Sequence, residues 1–305
     1  MGFFFHRKSD LSIFGPIRIV YASLLLINLL TWWPDLDKWF GENGVMSLAV
    51  SRSYKVIDSD TITLFQWLPT TSSALWTCYL ILIANTIALL LGFFSRIQLA
   101  SIFVLYTSFI HRNILIFDGE DTLFRLFAFY LLFSPVGKYC SIANCWPLRK
   151  NSVENQGLKL YPIWPLRLIQ VQTSSVLFFS ACEKLKGTQW FDGTAIYYVS
   201  RLDDMFYRFP VPDFIFESLM LMAAMSWATL VLETGIPIAV WIPKTRRAAL
   251  ALAFVFHLSL DYVMNLNLFQ WMMLLGWMSF IQPQDVLMVR RIFGLSQKHD
   301  RADPG

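Results

Sequence analysis

Long apolar runs separated by polar loops dominate the chain. A bilayer core about 30 Å thick needs roughly 20 helical residues to cross it, and irregular backbone cannot face lipid. The pattern predicts about eight transmembrane helices, over residues 16–33, 73–94, 97–115, 122–136, 165–182, 214–241, 248–265 and 268–281. The fourth and eighth runs are short, so each is either a full crossing or a tilted or re-entrant element. The predicted fold class is an all-α, polytopic transmembrane helix bundle.

Composition supports a membrane protein and argues against a nucleic-acid-binding protein. Of the 305 residues, 56% are hydrophobic and 15% are charged, which is more apolar than a soluble domain of this size. The net charge of +4 is spread between apolar runs and forms no basic stripe, so we expect no nucleic-acid partner. We predict one membrane domain over residues 1–285 and a short cytoplasmic tail over residues 286–305.

The distribution of charged loops predicts the orientation, because cytoplasmic loops are rich in Lys and Arg. With the N-terminus inside, the inner segments carry Arg7, Lys8, Arg18, Arg96, Lys138, Arg149, Lys150, Lys159, Lys244, Arg246, Arg247, Arg290 and Arg291. The outer loops carry Asp35, Asp37, Glu42, Asp58, Asp60, Asp118, Glu120 and Asp121, together with the loop 183–213. We therefore expect a multi-pass protein of the cell membrane with both termini in the cytoplasm.

An acidic turn precedes the fourth run, at residues 116–121. Asp118 or Asp121 is suited to cap that helix, since the helix dipole favours acids at its N-terminus. Asp121 and Arg125 lie four residues apart and can pair. The same carboxylates, with Glu120, are also candidates for direct chemistry on the outer side.

Lys184 stands where the fifth run reaches the outer interface. A partly desolvated lysine can act as a general base or a nucleophile. The alternative is a lysine that extends to the lipid headgroups, with Trp190 in the interfacial aromatic belt.

His257 and Asp261 share a helix face in the seventh run, so the carboxylate can orient the imidazole. The alternative is a histidine that only packs.

Glu233 lies inside the sixth run, near Gly235 and Pro237, which can break the helix. A structural role for Glu233, such as satisfying freed backbone donors, is favoured over a functional one. The four cysteines form no CxxC pair, and we expect no metal.

Ordered segments along most of the chain resemble the horizontally transferred transmembrane (HTTM) family, which includes the membrane domain of vitamin K-dependent γ-glutamyl carboxylase. The resemblance is carried by residues 41–44 (GENG), 112–113 (RN) with 118–121 (DGED), 183–185 (EKL), Trp190, 192–195 (DGTA), 197–198 (YY), and His257 with Phe269. In the carboxylases, the lysine matching Lys184 is the base that deprotonates vitamin K hydroquinone. Oxygen then converts the quinol to a strong base, which acts on a substrate glutamate before carbon dioxide adds.

The resemblance implies a carboxylase-like, quinone-linked membrane enzyme with its site on the outer side. We predict Lys184, His257 and Glu120 as catalytic residues, and Trp190, Asp121 and Asp261 as residues that bind a reduced quinone of the vitamin K or menaquinone type. The expected partners are the lipid bilayer and an exported peptide or protein. A further subunit is left open.

The chain departs from the carboxylases in three features. The interval from Lys184 to Trp190 is one residue longer, Glu120 replaces a histidine, and we expect no large lumenal domain. Its details are closer to bacterial stand-alone members, one of which is needed to mature a secreted peptide toxin. The alternative function is therefore a non-catalytic factor that holds an exported peptide or a lipid. A transporter is a third option, but the chain has no internal repeat.

Overall fold

The computed structural model describes residues 13–47, 50–51, 63–69, 71–138, 140–141, 162–202, 205–206 and 208–292. Within these ranges the chain forms helices, turns and one isolated antiparallel bridge between Phe206 and Met264, and it forms no strand. The predicted all-α class is confirmed for this part of the chain. Arg7, Lys8, Asp58, Asp60, Cys145, Arg149, Lys150 and Lys159 lie outside the described residues.

Each of the eight predicted apolar runs contains a helix. In chain order these helices are α1 (Phe14–Trp32), α3 (Ser72–Leu91), α4 (Ser95–Arg112), α5 (Gly119–Leu132), α6 (Trp164–Lys184), α10 (Leu219–Ala239), α11 (Arg246–Val263) and α12 (Phe269–Met278). Shorter helices connect or follow them: α2 (Leu36–Phe40), α7 (Thr188–Phe191), α8 (Ala195–Val199), α9 (Asp213–Glu217) and α13 (Pro283–Ile292).

Three stretches of helix in the described chain are long and apolar enough to cross a membrane: Phe14–Phe40, Ser72–Leu91 and Leu219–Ala239. Charged residues near the ends of α4, α6 and α11 dilute their apolar character. Helices α5 and α12 have 14 and 10 residues, which is about 21 and 15 Å at a rise of 1.5 Å per residue. Membrane-crossing helices are therefore supported, whereas eight full crossings are not confirmed.

Arg18 links α1 to the segment that follows α5. Its guanidinium is fully buried and donates to the backbone oxygens of Val136, at 3.0 Å, and Cys140, at 2.7 Å. Such bonds satisfy carbonyl groups that are left without helical donors near a helix end. This arginine therefore has a packing role in addition to its contribution to the charge pattern.

Helix α10 continues through Gly235 and Pro237 to Ala239, so the possible break at these residues does not occur and this part of the predicted run 214–241 is helical. Proline removes only the one amide that would bond the Glu233 carbonyl, and the helix tolerates the loss. The interruption lies instead at Ser218, between α9 and α10, where the Ser218 hydroxyl accepts from the Leu221 amide. Helix α10 therefore remains continuous past Glu233.

Helix α12 packs closely on α6 at Gly276. A Cβ atom added there would lie 2.1 Å from Oγ1 and 2.8 Å from Cγ2 of Thr173. Thr173 is fully buried, and its hydroxyl donates to the backbone oxygen of Ile169. The small residue lets the two helices approach, as is common for helix contacts in membranes.

We predict that Gly276→Ala destabilises the protein by about 1 to 3 kcal/mol through overpacking. The measurement is the thermal unfolding midpoint of purified protein in nanodiscs. Thr173→Ala in the same chain should restore part of the loss. The control is Gly235→Ala, because no atom lies within 4 Å of the added Cβ; an equal loss in both single variants would contradict the packing account.

Candidate functional site

The ammonium group of Lys184 is the centre of the site. Lys184 is the last residue of α6, and its Nζ lies 2.6 and 2.7 Å from the two carboxylate oxygens of Glu233 on α10. It also lies 2.7 Å from Oγ of Ser180, one helical turn earlier. Three acceptors match the three N–H donors of an ammonium. The side chain therefore points to Glu233 and Ser180.

Burial makes this ion pair unusual. The Glu233 side chain is 5% exposed and that of Lys184 is 23% exposed. A buried charge is costly unless a partner and hydrogen bonds compensate it. The structural role that the sequence favoured for Glu233 stays open, but its suggested form does not match the structure, because the carboxylate accepts from the Lys184 ammonium.

Two short helices cover the pair. Trp190, on α7, has its ring centroid 5.3 Å from the Lys184 Nζ, within cation–π range. The Trp227 indole donates to the Phe191 carbonyl at 3.1 Å, and the Ser226 hydroxyl donates to the Gly193 carbonyl at 3.2 Å. These contacts hold α7 and the following turn against α10.

The turn between α7 and α8 requires the residue types found at Asp192, Gly193 and Thr194. Gly193 has φ +79°, and a Cβ there would lie 2.7 Å from that of Ala223, so both the backbone and the space favour glycine. Asp192 accepts from the amide and the hydroxyl of Thr194, at 2.9 and 2.6 Å. These bonds hold the pKa of the Asp192 carboxyl below its ordinary value. The motif therefore shapes the cover of the site.

His257, on α11, lies in the wall of the same cavity as Lys184. Its side chain is 1% exposed, and its Nδ1 lies 2.6 Å from Oε1 of Gln270 on α12. The other ring nitrogen, Nε2, has no hydrogen-bond partner among the described residues. A buried ring nitrogen without a partner is available to a ligand.

The cavity has a volume of about 250 Å³. Its polar lining consists of Ser180, Lys184, Thr229, Glu233, His257 and Gln270. The rest of the wall is mostly apolar and includes Val176, Leu177, Val199, Leu260 and Met273, with Trp190 and Phe269. An apolar pocket with a few convergent polar groups is the usual form of a small-molecule site.

A larger cavity, of about 870 Å³, lies near α2 and the start of α3. Two of its charged groups already have partners: Arg112 donates to the carbonyls of Met46 and Gly41, and Asp37 accepts from Ser72 and Trp76. Because these groups maintain the loop structure, the smaller cavity is the better candidate for chemistry.

The other predicted site residues lie elsewhere. Glu120 accepts from the Asn267 side chain at 2.8 Å and does not line the cavity. Asp121 accepts from the Tyr106 hydroxyl and from the Asp118 amide, and it does not pair with Arg125. Asp118 is the N-cap residue of α5. The capping interpretation of this turn therefore fits the geometry.

Asp261 does not orient His257. Asp261 lies one helical turn beyond His257 on α11, and its carboxylate pairs with Arg208 at 2.7 Å. Gln270 occupies the position beside the imidazole that Asp261 was expected to fill. Lys184, Trp190 and His257, which the sequence analysis grouped, line one cavity, and the structure adds Glu233 and Gln270 to that lining.

The sequence signals that could have placed Glu233 and Gln270 in the site differ in strength. Glu233 is ionisable within an apolar run, and such a residue is a functional candidate by default. Gln270 is one uncharged polar residue in an apolar helix, and nothing in the sequence pairs it with His257.

Cys78, Cys140 and Cys182 are free thiols, and the described residues contain no His, Cys, Asp or Glu cluster suited to a metal.

Comparison with known proteins gives a consistent picture. The family model described as the HTTM domain matches residues 6–284. The sporulation-delaying protein SdpB of Bacillus subtilis (strain 168) is 27% identical over 154 residues, which are 49% of this chain and 46% of that protein. The chain thus matches about half of the length of this relative. No solved structure matches the chain.

The ion pair predicts a specific pattern of stability. Lys184→Met or Glu233→Gln alone should cost about 3 to 5 kcal/mol, because either change leaves a buried charge without its partner. The double variant Lys184→Met with Glu233→Gln should recover most of that loss. Thermal unfolding in nanodiscs measures all three.

Lys186→Met, with Glu183→Met, is the matched control. That pair has the same 2.6 Å distance, but both side chains are 69% exposed, so each change should cost less than about 1 kcal/mol. Additive losses at Lys184 and Glu233 would show that the two residues do not interact.

Proposed function

The chain belongs to the HTTM domain family, and we propose that it is a multi-pass membrane enzyme that removes a proton from an apolar ligand with an ionisable hydroxyl group. The observation that carries the proposal is the buried Lys184–Glu233 pair, which shares an apolar cavity with His257. An ion pair that only stabilises the fold needs no cavity beside it. A cavity with an unpartnered ring nitrogen in its wall favours chemistry.

In the proposed topology the eight long helices cross the bilayer and both termini are cytoplasmic. Two groups of contacts at the helix ends support it. Arg18 reaches the backbone after α5, and Arg246 and Arg247 both pair with Asp285 at 3.0 and 2.7 Å. We assign these cations to the inner end and the acids of the turn before α5 to the opposite end.

The ligand we propose is a reduced quinone of the vitamin K or menaquinone type. The cavity lies slightly below the roughly 300 to 1,000 Å³ of drug-sized sites, so it suits one ring system and leaves an isoprenoid tail to the lipid. When bound, such a ligand would supply an acidic hydroxyl group and two reducing electrons. The apolar wall and the few polar groups of the cavity fit this chemistry.

Lys184 and Glu233 act together as the base in this proposal. As an ammonium, Lys184 cannot accept a proton. At 2.6 Å one of its protons can pass to Glu233, which leaves an amine that takes a proton from the ligand hydroxyl. The ammonium formed again then lies beside the new oxyanion and stabilises it.

A second candidate function is a non-catalytic factor that holds an exported peptide or lipid. The similarity to sporulation-delaying protein SdpB favours it. Lys184→Arg separates the two functions, because arginine keeps the charge but does not act as a base. A holding role should survive this change, whereas proton removal should not.

Proton removal predicts faster oxidation of a reduced quinone, because the anion reacts with dioxygen more readily than the neutral form. Protein in nanodiscs with reduced menaquinone should take up oxygen, as measured with an oxygen electrode. Lys184→Ala and Glu233→Gln should each lower the rate by about 100-fold or more, within the range that a positioned base contributes.

The matched control is Lys186→Ala, two residues away and exposed, which should leave the rate unchanged. Folding of every variant is checked by thermal unfolding. A folded Lys184→Ala variant that takes up oxygen as fast as the parent protein would overturn the proposal.

A further inference from the structure

The contact between His257 and Gln270 joins two helices inside the cavity wall. Both side chains are buried, at 1% and 2% exposure, and Nδ1 lies 2.6 Å from Oε1. An amide oxygen carries no hydrogen and can only accept. With Oε1 facing the ring, as the side chain is placed, Nδ1 donates, and this contact selects one of the two neutral tautomers of the ring.

In that tautomer Nε2 carries a lone pair. No described residue lies within hydrogen-bond distance of Nε2, and the indole nitrogen of Trp277, whose ring centroid is 6.4 Å away, is also without a partner. A proton on Nε2 would face no acceptor and would be a buried, unsatisfied donor. The surroundings therefore favour Nε2 as an acceptor.

Other groups that could orient the imidazole have different partners. The Asp261 carboxylate is held by Arg208, and the Glu233 carboxylate is held by Lys184. Among the described residues, Gln270 is the hydrogen-bond partner of the ring. The amide is uncharged, so it orients the imidazole without drawing a second proton onto it, as a carboxylate would tend to do.

We propose that Gln270 is a positioning residue that holds His257 as the Nδ1–H tautomer, so that Nε2 accepts a hydrogen bond from a hydroxyl group of the ligand. The inference rests on the proposed function for the ligand and on the structure alone for the tautomer. It divides the cavity between a cationic side, at Lys184, and a neutral accepting side, at His257. A ligand that fits both sides has a hydroxyl donor and an oxygen that becomes negative.

The tautomer is tested first, without any ligand. Protein with ¹⁵N-labelled histidine in nanodiscs gives signals for the four histidines of the chain, and His257→Gln identifies the signal of His257. The expected spectrum has a protonated Nδ1 and an unprotonated Nε2. A protonated Nε2 in the parent protein would overturn the proposal.

Two substitutions test the role of Gln270. Met has a similar length but no strong acceptor, so Gln270→Met should give a mixture of tautomers. Gln270→Glu keeps an acceptor oxygen and should keep Nδ1 protonated. An unchanged single tautomer in a folded Gln270→Met protein would show that another group fixes the ring.

Oxygen uptake with reduced menaquinone then distinguishes this inference from the proposed function. Gln270→Met should lower turnover by about 10-fold or more, because a group held in the wrong tautomer loses its contribution. Gln270→Glu should lower turnover as well, because its carboxylate draws a second proton onto the ring and Nε2 then cannot accept. If the tautomer shifts as expected but the parent protein oxidises no quinol, the proposed function fails and the positioning role stands. If turnover is present and Gln270→Met leaves it unchanged, the role in turnover fails.

Discussion

The site depends on the ion pair between Lys184 and Glu233, which is buried where charged groups are costly. Glu233 lies in a helix that is apolar enough to cross a membrane, and an isolated carboxylate there is expensive. Lys184 makes it tolerable by donating to both of its oxygens. Because α6 ends at Lys184 and α10 continues past Glu233, the pair forms where one helix stops beside another. The free space left there is closed by α7, α8 and α11.

Close packing fixes the other wall of the cavity. Gly276 allows α12 to approach α6, and this contact helps to place Gln270, six residues earlier on α12, beside His257. The lysine side of the cavity depends on the pairing of α6 with α10, and the histidine side depends on the pairing of α11 with α12. Each side can be altered with its own variants, which makes the division between a cationic and a neutral function accessible to experiment.

Apolar periodicity predicted the helices well because each apolar run contains enough consecutive residues to form one. It located an end less well at Ser218, where a local hydrogen bond decides the boundary. Lys184 and His257 were singled out from residue type and position, and Trp190 from the family resemblance. Glu233 and Gln270 were not placed in the site, since their partners are 49 and 13 residues away and pairing across helices leaves no spacing in the sequence. Asp261 illustrates the converse: spacing on one helix made it a neighbour of His257, yet Arg208 from a distant segment holds it.

The central claim is that Lys184 is held by Glu233 inside the protein and does not reach the outer surface. An amine-reactive ester that cannot cross membranes, added to intact cells and followed by mass spectrometry, tests this claim with internal references. With the proposed topology, we expect rapid modification of exposed Lys186, no modification of Lys244, and slow modification of Lys184 that becomes faster in Glu233→Gln. Modification of Lys184 as fast as that of Lys186 in the parent protein would contradict it.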